Sequence, residues 1–257
     1  MSFSISELNI GYGSHTVIAD ITIPELPKGA VVAVVGPNAV GKSTLLKSIA
    51  GLVSYSGSIQ FNQQALSSMP RAELIKTLGY LPQALPQATS LVAYEVVYSA
   101  CRAVRTDLTA EQVEHAIENT FKRLGIRNLA LKRLSEMSGG QRQMVGLAQV
   151  LVRQPKLLLL DEPTSALDLH WQLNVLEAIR EETTHENAIA LVASHDLNLA
   201  LRFCDYVLIL APQGVLALVT PDQLTPEHLA QAYGIEGRVE ACSRGFPIVL
   251  ADKALPR

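Results

Sequence analysis

A glycine-rich stretch from residue 36 to residue 44 has the residue types and the spacing best suited to chemistry in this chain. It matches the pattern G-x-x-x-x-G-K-S/T, in which glycines let successive backbone N–H groups curl around an anion. Lys42 can reach the β- and γ-phosphates of a nucleotide, and the Ser43 hydroxyl can ligate Mg²⁺. The pattern predicts that a nucleoside triphosphate is bound by a phosphate loop made of Gly36, Pro37, Asn38, Ala39, Val40, Gly41, Lys42, Ser43 and Thr44.

Two adjacent carboxylates follow the leucine run 157–160, which reads as a buried strand. Such a strand delivers its last residues to the edge of an α/β sheet where ligands bind. Asp161 suits the surroundings of Mg²⁺, the usual task of the acid at this place in enzymes with a phosphate loop. Glu162 is not required by the metal and suits a general base that deprotonates an attacking water. Alone the pair could be an ordinary surface feature, but beside a phosphate loop it predicts triphosphate hydrolysis.

The patterns on either side of the phosphate loop are those of the strand and helix that it needs. Residues 30–35 form a continuous apolar, β-branched run, and residues 44–50 have apolar side chains at helical spacing before Gly51. Residues 189–192 read as another buried strand, and residues 2–35 begin with short alternating segments. These patterns predict an α/β fold that begins with an all-strand part.

Helical patterns interrupt this α/β core. Residues 109–124 begin with the spacing of a capping box and continue with apolar side chains at helical intervals. A second helix is predicted over residues 226–234, with proline at its first position. We therefore predict one domain, residues 1–257, with a helical insert at about 88–150 and a C-terminal extension at about 221–257.

Composition narrows the class of protein. The formal net charge of −3 argues against a general nucleic-acid binder, and the three cysteines lack the spacing of a metal site or of a disulfide framework. No signal peptide is evident, and the longest apolar candidate, residues 206–219, is interrupted by Pro212 and Gly214. That segment predicts a hairpin of two strands, and any membrane role is expected to come through a partner.

A third segment, Met137-Ser-Gly-Gly-Gln141, resembles the signature of ATP-binding cassette (ABC) ATPases, and the other motifs of that family follow its order over residues 3 to 220. The resemblance implies an ATPase that uses ATP and Mg²⁺. It also implies the P-loop NTPase core of that family, an α/β fold with a mixed sheet and an N-terminal antiparallel β part. It implies that Tyr12 stacks on adenine, that Gln83 belongs to a glutamine loop reaching the metal, and that His195 is the switch histidine. The other nucleotide contacts that it implies come from the signature segment (residues 137–141) and the D-loop (residues 165–168): Ser138, Gly139, Gly140, Gln141 and Asp168.

The signature segment is suited to bind an anion, although the phosphate loop is already predicted to bind the phosphates of the nucleotide. Ser138 and two glycines precede an apolar run that looks helical, and a helix N-terminus can bind a phosphate. The family resemblance implies that two copies pack head to tail, each signature segment closing over the γ-phosphate in the other's phosphate loop. It also implies that Lys42, Glu162 and His195 act in catalysis and that Asp168 links the two sites.

Two positions depart from the family pattern. The phosphate loop has Ala39 and Val40 where the family most often has Gly and Ala, and the signature segment begins with Met137 where Leu is usual. Methionine conserves volume and apolarity. We expect phosphate binding to survive provided that Ala39 and Val40 are not held at positive φ.

What the ATPase drives is inferred from resemblance alone. The chain has a single cassette without a fused membrane segment, which suggests the ATPase of a bacterial importer, peripheral at the cytoplasmic face of the cell membrane. Separate permease subunits would dock near Gln83 and the helical insert, and a periplasmic or surface binding protein would act indirectly. Within importers the chain resembles the iron(III)-siderophore, haem and vitamin B12 branch, with iron-siderophore favoured. The segments that carry this resemblance are 79–83, 195–198, 204–205, 224–226, 232–238 and 245–249.

Two other readings are open. A soluble ABC ATPase of iron–sulfur cluster assembly has similar length, but its relatives typically carry acidic and lysine-rich residues after the double glycine, whereas residues 141–144 read Gln-Arg-Gln-Met. A nucleotide-dependent scaffold without turnover is disfavoured by the presence of Glu162 and His195.

Overall fold

The secondary structure was assigned from a computed structural model, which describes residues 1–12, 15–84, 88–212 and 214–256 but not the side chains of Tyr12 and His15. The strands are β1 (Ser2–Tyr12), β2 (His15–Pro27), β3 (Val31–Val35), β4 (Tyr55–Phe61), β5 (Gln64–Ala65), β6 (Leu78–Leu81), β7 (Leu157–Asp161), β8 (Ile189–Ala193), β9 (Tyr206–Ala211), β10 (Gly214–Val219), β11 (Ile235–Ala241) and β12 (Pro247–Ala254). The helices are α1 (Lys42–Ile49), α2 (Arg71–Thr77), α3 (Ala93–Val104), α4 (Ala110–Arg123), α5 (Gly139–Leu151), α6 (Leu169–Glu186), α7 (Leu197–Phe203) and α8 (Pro226–Tyr233). Among the described residues, no helix combines the length and apolarity that crossing a membrane requires.

The central sheet has the strand order β10-β9-β3-β8-β7-β6, in which β10 runs antiparallel to β9 and the other neighbours are parallel. Every residue of β3, β7 and β8 is buried, as expected for parallel strands covered on both faces. The predicted buried strands and the predicted hairpin over residues 206–219 are confirmed, although Gln213 in its turn lies outside the described residues. Because parallel strands share one carboxyl edge, the segments that follow β3, β6, β7 and β8 meet there.

Two apolar cores lie on opposite faces of this sheet. Along β3, Val31, Ala33 and Val35 belong to one core, whereas Val32 and Val34 belong to the other, as the alternation of a strand requires. The second core is closed by an antiparallel sheet of order β2-β1-β4-β5. This sheet confirms the predicted N-terminal antiparallel β part.

Helices α3, α4 and α5 pack on one another beside the first core. Thr109 caps α4 by accepting a hydrogen bond from the backbone N–H of Gln112, and the reciprocal bond completes the predicted capping box. The apolar positions of α4 are buried, among them Val113, Ile117 and Phe121. That these helices form an insert bounded at about 88–150 stays a prediction.

Residues 221–256 add α8 and the antiparallel pair β11–β12, here called the C-terminal hairpin. Pro226 begins α8 after its cap Thr225, and Gly234 follows the helix at φ 66°, so the helix predicted there is confirmed. Helix α8 packs against β9, and β12 packs against α7. The chain thus returns to the central sheet after leaving it at β10.

Helix α4 is joined to α6 by an ion pair. The guanidinium Nη1 of Arg123 lies 2.9 Å from Oε2 of Glu182, whose side chain is fully buried. Burial raises the pKa of Glu182, and the Arg123 guanidinium opposes this. A buried carboxylate without its cation is strongly unfavourable, so this pair ties the helical segment to the core.

The backbone of the phosphate loop depends on close packing at its glycines. A Cβ at Gly36 would lie 2.5 Å from the main-chain oxygen of Leu210 in β9, and one at Gly41 would lie 2.5 Å from Cδ1 of Ile18. Ala39 has φ 61°, in the left-handed region that disfavours any side chain. Phosphate binding is expected to survive if neither Ala39 nor Val40 has positive φ, and this condition holds at Val40 but fails at Ala39. The surrounding loop must therefore hold Ala39 in a strained conformation.

Replacement of Arg123 by alanine should lower the free energy of unfolding by about 2 kcal/mol, because a buried carboxylate loses a charged hydrogen-bond donor. Urea unfolding followed by circular dichroism measures the change. Arg127→Ala is the matched control, since Arg127 pairs with Glu118 at the surface and should contribute less than about 1 kcal/mol. Equal losses in the two variants would contradict a tie between α4 and α6.

The strain at Ala39 predicts that Ala39→Gly raises the free energy of unfolding by about 0.5 kcal/mol. Relief of roughly 1 kcal/mol of left-handed strain is partly offset by the greater entropy of glycine in the unfolded chain. Ala116→Gly, inside α4, should instead lower stability by about 1 kcal/mol. The two variants are compared by urea unfolding without nucleotide, and a loss of stability in both would show that Ala39 is unstrained.

Candidate functional site

A cleft of about 520 Å³ opens at the carboxyl edge of the central sheet. Its walls are the phosphate loop, Gln83 after β6, Glu162 after β7 and His195 after β8, with Val17 of β2 on the far side. The fold thus brings together residues that are up to 178 positions apart (195 minus 17). Apart from Val17, the residues that line the cleft are among the sequence-predicted phosphate-binding and catalytic residues.

The N-terminus of α1 is open toward the cleft. Gly41 is its N-cap, and no side chain of the described residues caps it. The backbone N–H groups of the first turn therefore lack intrahelical partners, and the partial positive charge of the helix end favours an anion there. This geometry suits a phosphate group.

Lys42 is buried at the start of α1, and main-chain oxygens hold its ammonium group. The Nζ atom donates to the carbonyl oxygen of Gly36 at 2.8 Å and to that of Pro37 at 3.0 Å. Burial lowers the pKa of Lys42, while the nearby carboxylates of Glu162 and Asp161 oppose the shift. The two carboxylates compensate the buried positive charge of Lys42 only in part, and the phosphates of a nucleotide would supply further negative charge.

Asp161 and Ser43 form a hydrogen-bonded pair at the floor of the cleft. The Ser43 hydroxyl donates to Oδ1 of Asp161 at 2.8 Å, whereas the buried Oδ2 atom has no hydrogen-bond partner among the described residues. Burial raises the pKa of Asp161, the Ser43 hydrogen bond opposes this, and the charge of Glu162 adds to it. An unpaired buried carboxylate oxygen indicates that a cation belongs nearby.

The residues on this floor fit Mg²⁺. This ion prefers oxygen ligands and usually takes one or two protein groups together with waters and substrate phosphates. A serine hydroxyl and a carboxylate oxygen are available, and the described part of the chain contains no group of three or more His, Cys, Asp or Glu side chains placed to hold a metal by themselves. The site therefore suits an ion that arrives with a nucleotide.

Both carboxylate oxygens of Glu162 are engaged by residues from other strands. Gln83 donates through Nε2 to Oε2 at 2.7 Å, and the Nε2 atom of His195 contacts Oε1. Glu162 has φ 53°, an unfavourable conformation for a glutamate, and its backbone N–H donates to the carbonyl oxygen of Ala193 in β8 at 3.2 Å. The strained turn directs the carboxylate into the cleft.

The signature segment lies at a second cleft, of about 390 Å³, with the D-loop. Ser138 caps α5 by accepting from the backbone N–H of Gln141 at 3.2 Å, and the Gln141 side-chain oxygen accepts from the N–H of Ser138 at 3.3 Å. A Cβ at Gly140 would lie 3.1 Å from the main-chain oxygen of Ala166, so the segment packs closely on the D-loop. The second cleft contains the predicted residues Ser138, Gly139, Gly140, Gln141 and Asp168.

The predicted site is therefore divided between two clefts, which the described residues line separately. Asp168 caps α6 by accepting from the backbone N–H of Trp171 at 3.1 Å, and this Trp171 also lines the second cleft. The predicted adenine contact by Tyr12 concerns a side chain outside the described residues. One chain alone does not place the signature segment at its own phosphate loop.

Two residues near the first cleft were missed by sequence reasoning. Val17 lines it from β2, and no local pattern distinguishes this valine from its neighbours. The hydroxyl of Tyr233, in α8, is buried near the backbone N–H of Gly36; burial raises the pKa of Tyr233, and this N–H opposes the shift. The tail segment 232–238 had been noted as a family resemblance, which could have pointed to Tyr233 but gave it no role.

Comparison with known proteins places these features in a family. The model of the ABC transporter family matches residues 22–165. The chain is 36% identical over 250 residues to the hemin import ATP-binding protein HmuV of Vibrio cholerae, with 95% of each chain covered. It is 32% identical over 246 residues to the iron(3+)-hydroxamate import ATP-binding protein FhuC of Bacillus subtilis, with 93% of this chain and 90% of that protein covered.

Solved structures agree. An ATP binding subunit of an ABC transporter superposes with a TM-score of 0.77 at 27% identity, covering 86% of this chain and 91% of that one. The cbiO1 protein of Clostridium perfringens, part of the ABC transporter complex cbiONQ, gives 0.75 at 29% identity, covering 86% and 89%. The chain therefore belongs to the ABC transporter ATP-binding family and is an ATPase of the type coupled to transport.

Proposed function

We propose that this chain hydrolyses ATP in the first cleft and thereby energises import of an iron(III)-siderophore through separate permease subunits. The observation that carries the hydrolytic role is the position of Glu162, whose carboxylate is held by Gln83 and His195 beside the phosphate loop. The import role is supported by the likeness to the iron(3+)-hydroxamate protein of Bacillus subtilis.

ATP binding begins with groups that this chain presents before any nucleotide arrives. Lys42 and the first-turn N–H groups of α1 bind the β- and γ-phosphates, with the backbone from Gly36 to Gly41 curled around them. The adenine contact that the family resemblance implies for Tyr12 is part of this proposal. Ser43, Asp161 and Gln83 would hold Mg²⁺, which would neutralise part of the phosphate charge.

Hydrolysis needs a water placed between Glu162 and the γ-phosphorus. Glu162 accepts a proton from this water while the water oxygen forms a bond to the γ-phosphorus. The bond from that phosphorus to the β,γ-bridging oxygen breaks, which gives ADP and phosphate. His195 stabilises the γ-phosphate during this displacement. Gln83 and His195 each engage one oxygen of the carboxylate, which has further lone pairs free to accept a hydrogen bond from this water.

The second cleft explains why two copies are needed. Ser138, Gly139 and Gly140 stand at the N-terminus of α5, where backbone N–H groups can bind a phosphate. In a head-to-tail dimer each signature segment closes over the γ-phosphate held by the partner copy, and Asp168 connects the two sites. Closure excludes water and completes the site, which couples hydrolysis to opening and closing of the dimer.

The coupling partner is an integral membrane permease that docks near Gln83 and helices α3 to α5. The chain is then peripheral at the cytoplasmic face of the cell membrane, and a periplasmic or surface binding protein delivers the ligand to the permease. The solved relative cbiO1, which is part of a transporter complex, supports this arrangement.

Haem is the second candidate for the transported ligand. The observation that favours it is the 36% identity to the hemin import protein of Vibrio cholerae. The ATPase reaction would be the same for either ligand, because neither ligand would touch this chain.

Substitution of Glu162 by glutamine keeps shape and hydrogen bonding but removes the base, so ATP turnover should fall by about 10²- to 10⁴-fold. ATP binding should persist, and a closed dimer should accumulate. Phosphate release measures the turnover, and size-exclusion chromatography with ATP measures the dimer.

Adding Ser138→Arg to Glu162→Gln provides the control. A bulky cation at the N-terminus of α5 opposes the helix dipole and blocks the approach of the partner, so the ATP-dependent dimer should disappear while monomer affinity for ATP is kept. A Glu162→Gln protein with more than a third of wild-type turnover would reject Glu162 as the base. An ATP-dependent dimer in the double variant would reject the head-to-tail arrangement.

The transported ligand is tested in cells that lack this gene. Uptake of radioactive iron as a hydroxamate siderophore should be lost and should return with the wild-type chain but not with Glu162→Gln. Growth on haem as the iron source is measured in parallel. If only growth on haem is lost, haem is the transported ligand and not the iron(III)-siderophore. If both uptakes are retained, a soluble role in iron–sulfur cluster assembly is favoured.

A further inference from the structure

Asn198 hydrogen-bonds the C-terminal hairpin through both ends of its side-chain amide. The backbone N–H of Val249 donates to Oδ1 at 2.7 Å, and Nδ2 donates to the carbonyl oxygen of Val249 at 3.4 Å. A side-chain amide can satisfy one peptide unit in this way because it offers both a donor and an acceptor. The two bonded segments, 195–198 and 245–249, are among those by which the sequence resembles the importer branch.

The contact lies close in sequence to His195. Asn198 follows it by three residues, in the first turn of α7, and Asp196 caps this helix by accepting from the backbone N–H of Leu199 at 3.0 Å. On the other side, Ser194 donates its backbone N–H to the carbonyl oxygen of Val34 at 3.1 Å. The backbone that carries His195 is therefore held between β3 and the C-terminal hairpin.

The ring of His195 receives little support from packing. Its side chain is 44% exposed and meets Glu162 at the cleft. The position of the imidazole then depends mainly on the backbone of residues 194–198 and on the contact with Glu162. A shift of the first turn of α7 would move the imidazole relative to the carboxylate.

The hairpin is a firm anchor for this turn. Val249 is 9% exposed and belongs to the first core, as do Ala200 and Leu201 of α7. One helical turn beyond Asn198, the guanidinium of Arg202 lies over the ring of Phe246, 5.9 Å from its centre. Two contacts at i and i+4 on α7 thus face the same hairpin.

We propose that Asn198 is a positioning residue for the ATPase reaction: through Val249 it lets the C-terminal hairpin hold His195 against Glu162. The inference rests on the role given above to His195. It assigns to the C-terminal hairpin a part in catalysis, although none of its side chains lines the nucleotide cleft in the described part of the chain.

The test compares variants of the full chain in steady-state ATP hydrolysis. Asn198→Ala should lower kcat about tenfold and leave KM for ATP within about twofold, because the phosphate loop is untouched while a catalytic group is misplaced. Asn198→Asp keeps the acceptor of the 2.7 Å bond but turns a carboxylate oxygen toward the carbonyl oxygen of Val249, so its kcat should lie between those of the wild type and Asn198→Ala. The matched control is Arg238→Ala, which removes surface ion pairs with Asp252 and Glu240 in the same hairpin and should leave kcat unchanged.

A second measurement separates positioning from general damage. In protein labelled with ¹⁵N-histidine, the ring resonances of His195 are identified by their loss in His195→Ala. They should shift in Asn198→Ala, shift less in Asn198→Asp and stay in place in Arg238→Ala. Single-turnover rates of the double variant His195→Ala with Asn198→Ala should equal those of His195→Ala alone, since the two changes act on one group.

Three results would overturn the inference: wild-type kcat in Asn198→Ala, unmoved His195 resonances in that variant, or a further loss of rate in the double variant. Failure of the proposed function itself is recognised differently. If His195→Ala hydrolyses ATP at the wild-type rate, the role of His195 falls, while the resonances still show whether the hairpin holds the ring.

Discussion

Three ionisable side chains, Lys42, Asp161 and Glu162, are buried at one edge of the central sheet, and their desolvation is the constraint on which the site depends. Burial of a charge is unfavourable unless hydrogen bonds or opposite charges compensate for it. Here carbonyl oxygens of the phosphate loop hold the ammonium group, a serine hydroxyl holds one carboxylate, and a glutamine and a histidine hold the other. The catalytic geometry is therefore built by contacts that also stabilise the fold without nucleotide.

The contacts to Glu162 come from segments that follow different strands, so each segment can affect this base separately. Gln83, Glu162 and His195 follow three different strands, β6, β7 and β8, so each can move without displacing the others' strands. A partner that shifted the segment after β6 would withdraw one hydrogen bond from Glu162. A movement of α7 would withdraw the other contact. Glu162 can in this way respond to movement of either of two separate segments of the chain.

Much of the fold and most of the cleft could be predicted because they depend on patterns local in sequence. Buried parallel strands appear as uninterrupted apolar runs, and both glycines of the phosphate loop are required by close approaches that the pattern anticipates. Helix α2 could not be predicted, since it has no buried residue and hence no apolar stripe. The left-handed φ of Ala39 was not foreseen because the loop imposes it against the preference of alanine. The bond between Asn198 and Val249 was equally hidden, since it joins positions 51 residues apart and uses only main-chain atoms of Val249.

The C-terminal hairpin also bears on solubility. A two-stranded sheet leaves peptide groups on its outer edges, and such edges are templates onto which strands of other chains can add. Asn198 hydrogen-bonds the N–H and the carbonyl oxygen of Val249, so these two groups on the edge of β12 cannot pair with an added strand. Farther along, Arg238 pairs with Asp252 and Lys253 pairs with Glu236, so a strand added there would have to approach charged side chains. The asparagine that holds the hairpin to α7 thus also covers part of an edge to which a strand of another chain could add.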